Sequence, residues 1–338
     1  QGWWLAAGGI EWCLPVEEHG YEWGVPWTVQ VREDADGATA ILRDTAAGDR
    51  LRAEIAVRLE KRAAAFTIRP RLENPSSMPL NVKYWTNAML APGGRNVPSP
   101  DLRFVLPDAV TSVTVHSRGD EWLPDYNERM PWPVFQGVDL SRLGNWGQWF
   151  GVFEDPAVGE FVGVYDEGHD EGMVRIFPAD VARGVKVFGL GWDQAISPDN
   201  WTDDGSSYVE VHGGLAPTFD DAVTLPGGGQ IEWTETWYPL SGLGGLRYAN
   251  LVVAMNLSAG GNGVDIALLA PRAFSGDVVL LLDGQELWRS AVLLVPGMPF
   301  RKAVALADDA PSTARLMLRL EDPDGVVKAE YGSNFNLK

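Results

Sequence analysis

Apolar and polar positions alternate with a period of two in short runs along this 338-residue chain. Residues 28–33, 38–44, 50–60, 65–73 and 80–89 each put apolar side chains on every second position, which predicts half-buried strands. The Asp-Ala-Asp-Gly tetrad at 34–37 between the first two predicts a hairpin turn. Further runs at 148–154, 160–166, 172–178 and 185–192 continue the pattern. Between them lie a Pro/Gly loop at 91–101 and a long aromatic loop at 120–147. A loop of that length within a compact domain tends to serve binding. No segment shows the 3.6-residue period of a long amphipathic helix, so the expected fold is all-β, built of antiparallel sheets.

The stretch 208–240 draws most attention. Its first strand alternates Tyr208, Glu210 and His212 with Val209 and Val211, so carboxylate, imidazole and phenol share one sheet face. A loop with Pro217, Asp220 and Asp221 and the Gly227-Gly228-Gly229 turn lead to a second strand at 230–238, rich in Trp and Glu. Such a face suits a sugar site, and it equally suits a solvated sheet surface. The segment 2–27 interleaves Glu11, Glu17, Glu18, His19 and Glu22 with Trp12, Tyr21, Trp23 and Trp27. That is a binding loop or an aromatic cluster beneath one. Residues 241–245 (Ser-Gly-Leu-Gly-Gly) read as a linker. Beyond it, short strands at 251–258, 264–270, 277–282, 287–294, 301–307 and 314–321 predict a small sandwich of immunoglobulin-like type. The expected division is therefore a large β-domain over 1–240 and a sandwich over 246–338.

Composition narrows the chemistry. The net charge of −19 opposes nucleic acid and anionic membrane surfaces. Fifteen Trp supply flat rings that fill sandwich cores and also stack on sugars. One cysteine, Cys13, excludes an internal disulfide and tilts the expected location towards the cytoplasm. The opening Gly2-Trp3-Trp4-Leu5 reads as mid-strand, which leads us to expect sheet partners upstream. Neither a G-x-x-x-x-G-K phosphate loop, a G-x-S-x-G elbow nor an H-E-x-x-H metal motif is present, and no metal site is expected. The acidic stretches at 34–37 and 199–204 read as turns and solvated loops rather than calcium sites. Carboxylate, imidazole and aromatic chemistry remains, and it suits carbohydrate.

Three segments resemble the galactose mutarotase-like (aldose epimerase) superfamily, in particular a bacterial branch of it. They are Leu-Ala-Ala-Gly-Gly-Ile-Glu-Trp at 5–12, the strand 74–90 with Tyr84, Trp85 and Asn87, and the segment 208–228 with Glu210. The resemblance spans about residues 2–238 and implies a large antiparallel β-supersandwich that needs no cofactor. It implies that Glu210 falls where those proteins hold the base that takes the anomeric proton. Ala7 and Trp85 (or Tyr84) fall where they hold sugar-binding histidines, and His169 is a stand-in for their acid histidine. Candidate acids are Glu11, Glu17, His19 and Asp193. Trp12, Trp23, Trp85 and Trp192 are candidates to stack on the ring, with Asn87 and His212 beside it. The expected partner is a mono- or oligosaccharide. The expected function is an epimerase or a glycoside-processing enzyme, the alternatives being a non-catalytic sugar binder or an interaction module.

Overall fold

The computed structural model describes residues 9–16, 26–45, 50–200, 202–260, 263–307 and 311–337. The alternating runs form two large antiparallel sheets. One has seven strands, in the order Gly9–Cys13, Trp85–Leu90, Val209–Gly214, Gly184–Gly189, Phe150–Glu154, Ser112–Arg118 and Arg129–Pro131. The other has nine. Eight follow in the order Thr28–Glu33, Gly37–Arg43, Arg52–Glu60, Phe66–Glu73, Glu235–Ser241, Glu171–Ile176, Phe161–Asp166 and Leu102–Val105, and the ninth, Gln230–Glu232, pairs with Phe66–Glu73. The sheets face each other across one core. Val113, Val152, Val187 and Val211 come from the first, and Ile55, Ile68, Phe104, Val164 and Trp237 from the second. The expected all-β supersandwich is what the structure holds.

The hairpin at 34–37 forms, with Asp34 Oδ1 accepting from the Asp36 and Gly37 amides at 2.9 and 2.8 Å. The run 80–89 is not one strand. It breaks into Leu80–Val82, paired with Val223–Leu225, and Trp85–Leu90 in the seven-stranded sheet. Between them the Lys83 ammonium hydrogen-bonds the Phe219 carbonyl and the Lys83 amide that of Pro15, at 3.1 Å for the amide. Strands Leu102–Val105, Ser112–Arg118 and Val327–Asn336 have no counterpart in the sequence reading.

Beyond residue 245 two further four-stranded sheets form a sandwich around Met255, Leu257, Ile266, Leu268, Leu280, Leu316 and Leu318. This sandwich sits on the outer face of the nine-stranded sheet. Phe161, Tyr165, Val174, Ile176, Tyr238 and Leu240 of that sheet form one apolar cluster with Ala254, Ala267 and Leu269 of the sandwich. The glycine-rich segment 241–245 is packed between them rather than hanging free. Leu243 is buried, and its amide donates to the Tyr165 hydroxyl at 2.9 Å. Among the described residues no helix is long and apolar enough to cross a membrane.

Candidate functional site

The site strand is Val209–Gly214, third in the seven-stranded sheet. Val209 and Val211 point into the main core, so alternation turns Glu210 and His212 to the sheet's outer face. Strand register carries that face sideways: Glu11 lies opposite Asn87, Asn87 opposite His212, His212 opposite Lys186, and Lys186 opposite Phe153. Glu210 lies between Met89 and Phe188. Alternation with the core residues Val113 and Val115 puts His116 on the same face, beside the bulge at Gly151/Val152, its ring 5.2 Å from Phe153. Phe219, from the loop after the site strand, closes over this row at 5.8 Å from His212 and 5.1 Å from His116. Thr218 and Asp221 fix that loop by a 2.9 Å hydrogen bond, and the Tyr126 hydroxyl ties Asp220 to the long 120–147 loop at 2.7 Å.

Trp85 forms the floor at one end. It lies across Gly184 and Gly214, where an added Cβ would stand 2.4 Å from the indole at either position. Only a residue without a side chain leaves room for the ring there. Phe153, Phe219 and Cys13 enclose the rest of the indole.

The polar group at the centre is compact. Glu210 Oε2 is 2.8 Å from His212 Nε2 and 3.8 Å from Lys186 Nζ, and Lys186 Nζ is 3.3 Å from the same imidazole nitrogen. A carboxylate only accepts, so Nε2 carries the proton and donates to Glu210. Burial would raise the Glu210 pKa. The hydrogen bond and charge of His212, the charge of Lys186 and a hydrogen bond from Asn87 outweigh it and hold the carboxyl at about 2. Lys186 Nζ also lies 4.7 Å from the Phe219 ring centroid and 5.1 Å from that of Phe188. Lys186 and His212 are fully buried, while the Glu210 side chain keeps 11% of its exposure. Tyr208 and Glu11 stand half-buried on the same side. Burial, then the charges of Glu210 and Glu11, pushes the Tyr208 phenol well up, so two carboxylates act on one hydroxyl.

The structure therefore assembles Glu210, Glu11, Asn87 and His212. It does not support the solvated-face reading of this strand, because Glu210 and His212 are buried. Trp12 is on the opposite face of its strand from Glu11; it meets Trp27 at 6.3 Å and packs against the main core, so it cannot stack on a sugar at Glu210. Trp85 is fully buried, a floor rather than an open platform. Asp193 and Trp192 are exposed on the loop after Gly184–Gly189, where the Trp192 amide donates to the Trp146 carbonyl at 2.9 Å. No hydrogen bond or ion pair joins Asp193 to Glu210. His169 belongs to a turn of the other sheet and pairs with Asp166 at 3.1 Å. Glu17, His19, Trp23 and Ala7 lie outside the described residues. Among the described residues no group of three or more His, Cys, Asp or Glu is placed to hold a metal ion.

Lys186 and His116 are the site residues that sequence reading did not single out. The signal for Lys186 was there: in Val185-Lys186-Val187-Phe188 the two valines fix the inner face and leave the lysine on the outer one. His116 carried the same kind of signal, since Val113 and Val115 fill the core and leave Thr114 and His116 on the outer face, but it lies on a strand that the sequence reading did not predict.

Directly behind the site, on the core side, Arg175 and Glu235 form a fully buried bidentate pair at 2.7 and 2.8 Å. Trp233 and Trp237 donate their indole N–H groups to the same carboxylate at 2.9 and 3.4 Å. The guanidinium lies under Gly213, where an added Cβ would be 2.2 Å from Cζ.

Residues 1–226 match the family described as Domain of unknown function (DUF5107), and residues 248–331 match the second domain of YphG-like proteins. A TPR-domain containing protein from Parabacteroides distasonis is similar in structure, with a TM-score of 0.56 and 19% identity over 70% of this chain and 38% of that one. The Slr1438 protein of Synechocystis gives 0.50 and 10%, over 69% of this chain and 78% of that one. The galactose mutarotase related enzyme from Lactobacillus acidophilus gives 0.45 and 11%, over 69% and 83%. The first two likenesses concern the fold alone. In sequence the chain is 26% identical over 182 residues to the RNA 3′-terminal phosphate cyclase of Salmonella typhimurium, covering 49% of this chain and 50% of that protein. The chain thus spans about half the length of that relative and well under half of the Parabacteroides protein.

Proposed function

We propose a saccharide-binding role, centred on Glu210, for this chain, which belongs to the family described as Domain of unknown function (DUF5107). The observation that carries it is a carboxylate kept ionised by His212, Lys186 and Asn87, opposite Phe188 on the neighbouring strand and with 11% of its side chain exposed. Such a group accepts hydrogen bonds from sugar hydroxyls at any ordinary pH. Glu11 and Tyr208 beside it supply a second acceptor and a hydroxyl. The half-buried ring of Phe188 offers apolar surface to the C–H side of a ring, and the buried Phe219 packs against the cluster.

A second reading, an epimerase with Glu210 as base, is favoured by the presence of proton donors: Lys186 and His212 lie within 3.8 Å of the carboxylate. The low pKa weighs against efficient turnover, because a general base works best with a pKa near the working pH. Binding is therefore the leading role and proton transfer the secondary one.

The test is calorimetric titration with a panel of mono- and oligosaccharides, together with NMR of anomer interconversion, on wild type and Glu210→Gln. We expect the variant to bind its sugar about 10- to 100-fold more weakly, the loss of a charge-assisted hydrogen bond. Equal affinity in both proteins, or no sugar bound by either, would end the reading. Interconversion in wild type that disappears in the variant would move the epimerase reading to the front.

A further inference from the structure

A cavity of about 780 Å³ lies on the far side of the nine-stranded sheet from Glu210, in the crevice where the second sandwich docks. Phe161, Ile176 and Phe177 from the large domain and Tyr248 and Tyr331 from the sandwich line it. Its volume falls in the range of ordinary small-molecule sites, which often form between domains.

The rim carries hydrogen-bonding capacity that the protein does not use. The Tyr248 hydroxyl accepts from Asn250 Nδ2 at 3.3 Å, and among the described residues no acceptor takes its own proton. Its ring is held edge-on to Phe161 at 5.9 Å. The Arg247 guanidinium and the Glu160 carboxylate line the cavity, and no side-chain hydrogen bond or ion pair engages either among the described residues. Arginines elsewhere in this acidic chain, such as Arg103, Arg142, Arg289 and Arg319, are paired with carboxylates. Asp108 reaches across the crevice to accept from the Tyr331 hydroxyl at 2.8 Å.

Ligand class follows from charge and capacity. An anion would meet the carboxylates of Asp108 and Glu160, and that of Glu330 already paired with Arg319, against the one Arg247 guanidinium of the lining. A cation would meet Arg247. A hydrocarbon would strip water from Arg247 and Glu160 and return nothing. A neutral polyol with an apolar face satisfies all of them, since each hydroxyl both donates and accepts while its C–H side rests on the rings. We propose that this interdomain crevice is a second binding site, for a neutral oligosaccharide, independent of the Glu210 site.

The experiment is calorimetric titration of the whole chain with neutral gluco-, galacto- and xylo-oligosaccharides, in Glu210→Gln and in that variant carrying Tyr248→Phe or Arg247→Ala. Tyr248→Phe removes one oxygen and leaves the ring packing in place. Glu210→Gln is expected to keep binding at least one of these sugars, and each added change is expected to weaken that binding about tenfold. Retained binding that neither change affects overturns the proposal, as does complete loss of binding in Glu210→Gln alone. The latter result leaves the Glu210 site intact, so the two readings fail separately.

Discussion

Two buried charge clusters lie back to back on either side of the Val209–Gly214 strand, and they are built differently. On the core side, Arg175 and Glu235 meet in a bidentate fork with neither side chain exposed, and two indoles complete the carboxylate. Burial would raise the Glu235 pKa, and Arg175 and the indole donors hold it below the usual carboxylate range. On the outer side, Glu210 accepts hydrogen bonds from His212, at 2.8 Å, and from Asn87, has a lysine at 3.8 Å, and keeps some exposure. The first cluster spends its carboxylate's hydrogen-bonding capacity within the protein, and Arg175 Nη1, which has no hydrogen-bond partner among the described residues, is sealed in the core. The second leaves an ionised oxygen towards the outside, and Asn87 Oδ1 beside it is buried with no protein partner. A closed pair of this kind fixes how the sheets pack, whereas an incomplete one is equipped to take a ligand.

The sharpest way to break that distinction is to remove one member of the closed pair. Glu235→Gln leaves the Arg175 guanidinium buried without a counter-charge, and is expected to cost about 3–5 kcal/mol. Urea melts would read this as a lower midpoint with an unchanged slope. The double variant Arg175→Met, Glu235→Leu removes both charges and should recover most of the loss. A double variant as unstable as the single one would show that packing at these positions, not charge pairing, carries the stability.

The outer cluster was half legible in the sequence for a physical reason. Alternation is a local signal, and it fixed the direction of Glu210 and His212 from Val209 and Val211 alone. It does not say which strands neighbour the site strand. The row Glu11, Asn87, His212, Lys186 comes from strands far apart in the chain, aligned only by register. Tryptophan content misled where parity was left out: Trp12 is one residue from Glu11 and therefore on the other face. The inner cluster was not read at all. An arginine within Gly-Met-Val-Arg-Ile looks like an outward residue of a half-buried strand until the second domain covers that outer face, leaving Val174 and Ile176 under the sandwich and Arg175 in the core. The fold survived these misses because short alternating runs specify sheets whichever face each residue takes.

Buried glutamates on the two faces also differ in the sign of their pH response. Glu154 points inward and is 1% exposed. Burial lifts its pKa from 4.5 to about 7, against hydrogen bonds from the Val158 and Gly159 amides. Above pH 4.5 the unfolded chain gives up this proton while the folded chain keeps it, so stability falls as pH rises from about 4.5 to about 7 and stays lower beyond. Glu210 runs the other way. Its pKa is depressed to about 2, so its contribution is full above the unfolded value of 4.5 and is lost as pH falls from there towards 2. Glu154→Gln keeps the acceptor for Val158 and is expected to gain up to about 3 kcal/mol at pH 7.5, and nothing at pH 4. Chemical denaturation across pH 3–8 measures it. A variant whose gain does not grow with pH would mean that Glu154 is not held protonated.

The smallest expected effect decides most about the comparison. Lys186→Met removes the ammonium from the outer cluster but leaves Glu210 its hydrogen bonds from His212 and Asn87. Methionine also fills much of the space between Phe188 and Phe219, the two rings the lysine now meets. The cost at pH 7 should be about 1–2 kcal/mol, well under that of Glu235→Gln, because the remaining charge has partners and a path to water. Sugar binding should weaken as the carboxylate loses part of its support. If Lys186→Met destabilises the protein as much as Glu235→Gln does, then both clusters are closed structural pairs. The 11% exposure of Glu210 would then be incidental to packing, and the case for a saccharide at this face would lose the contrast on which it stands.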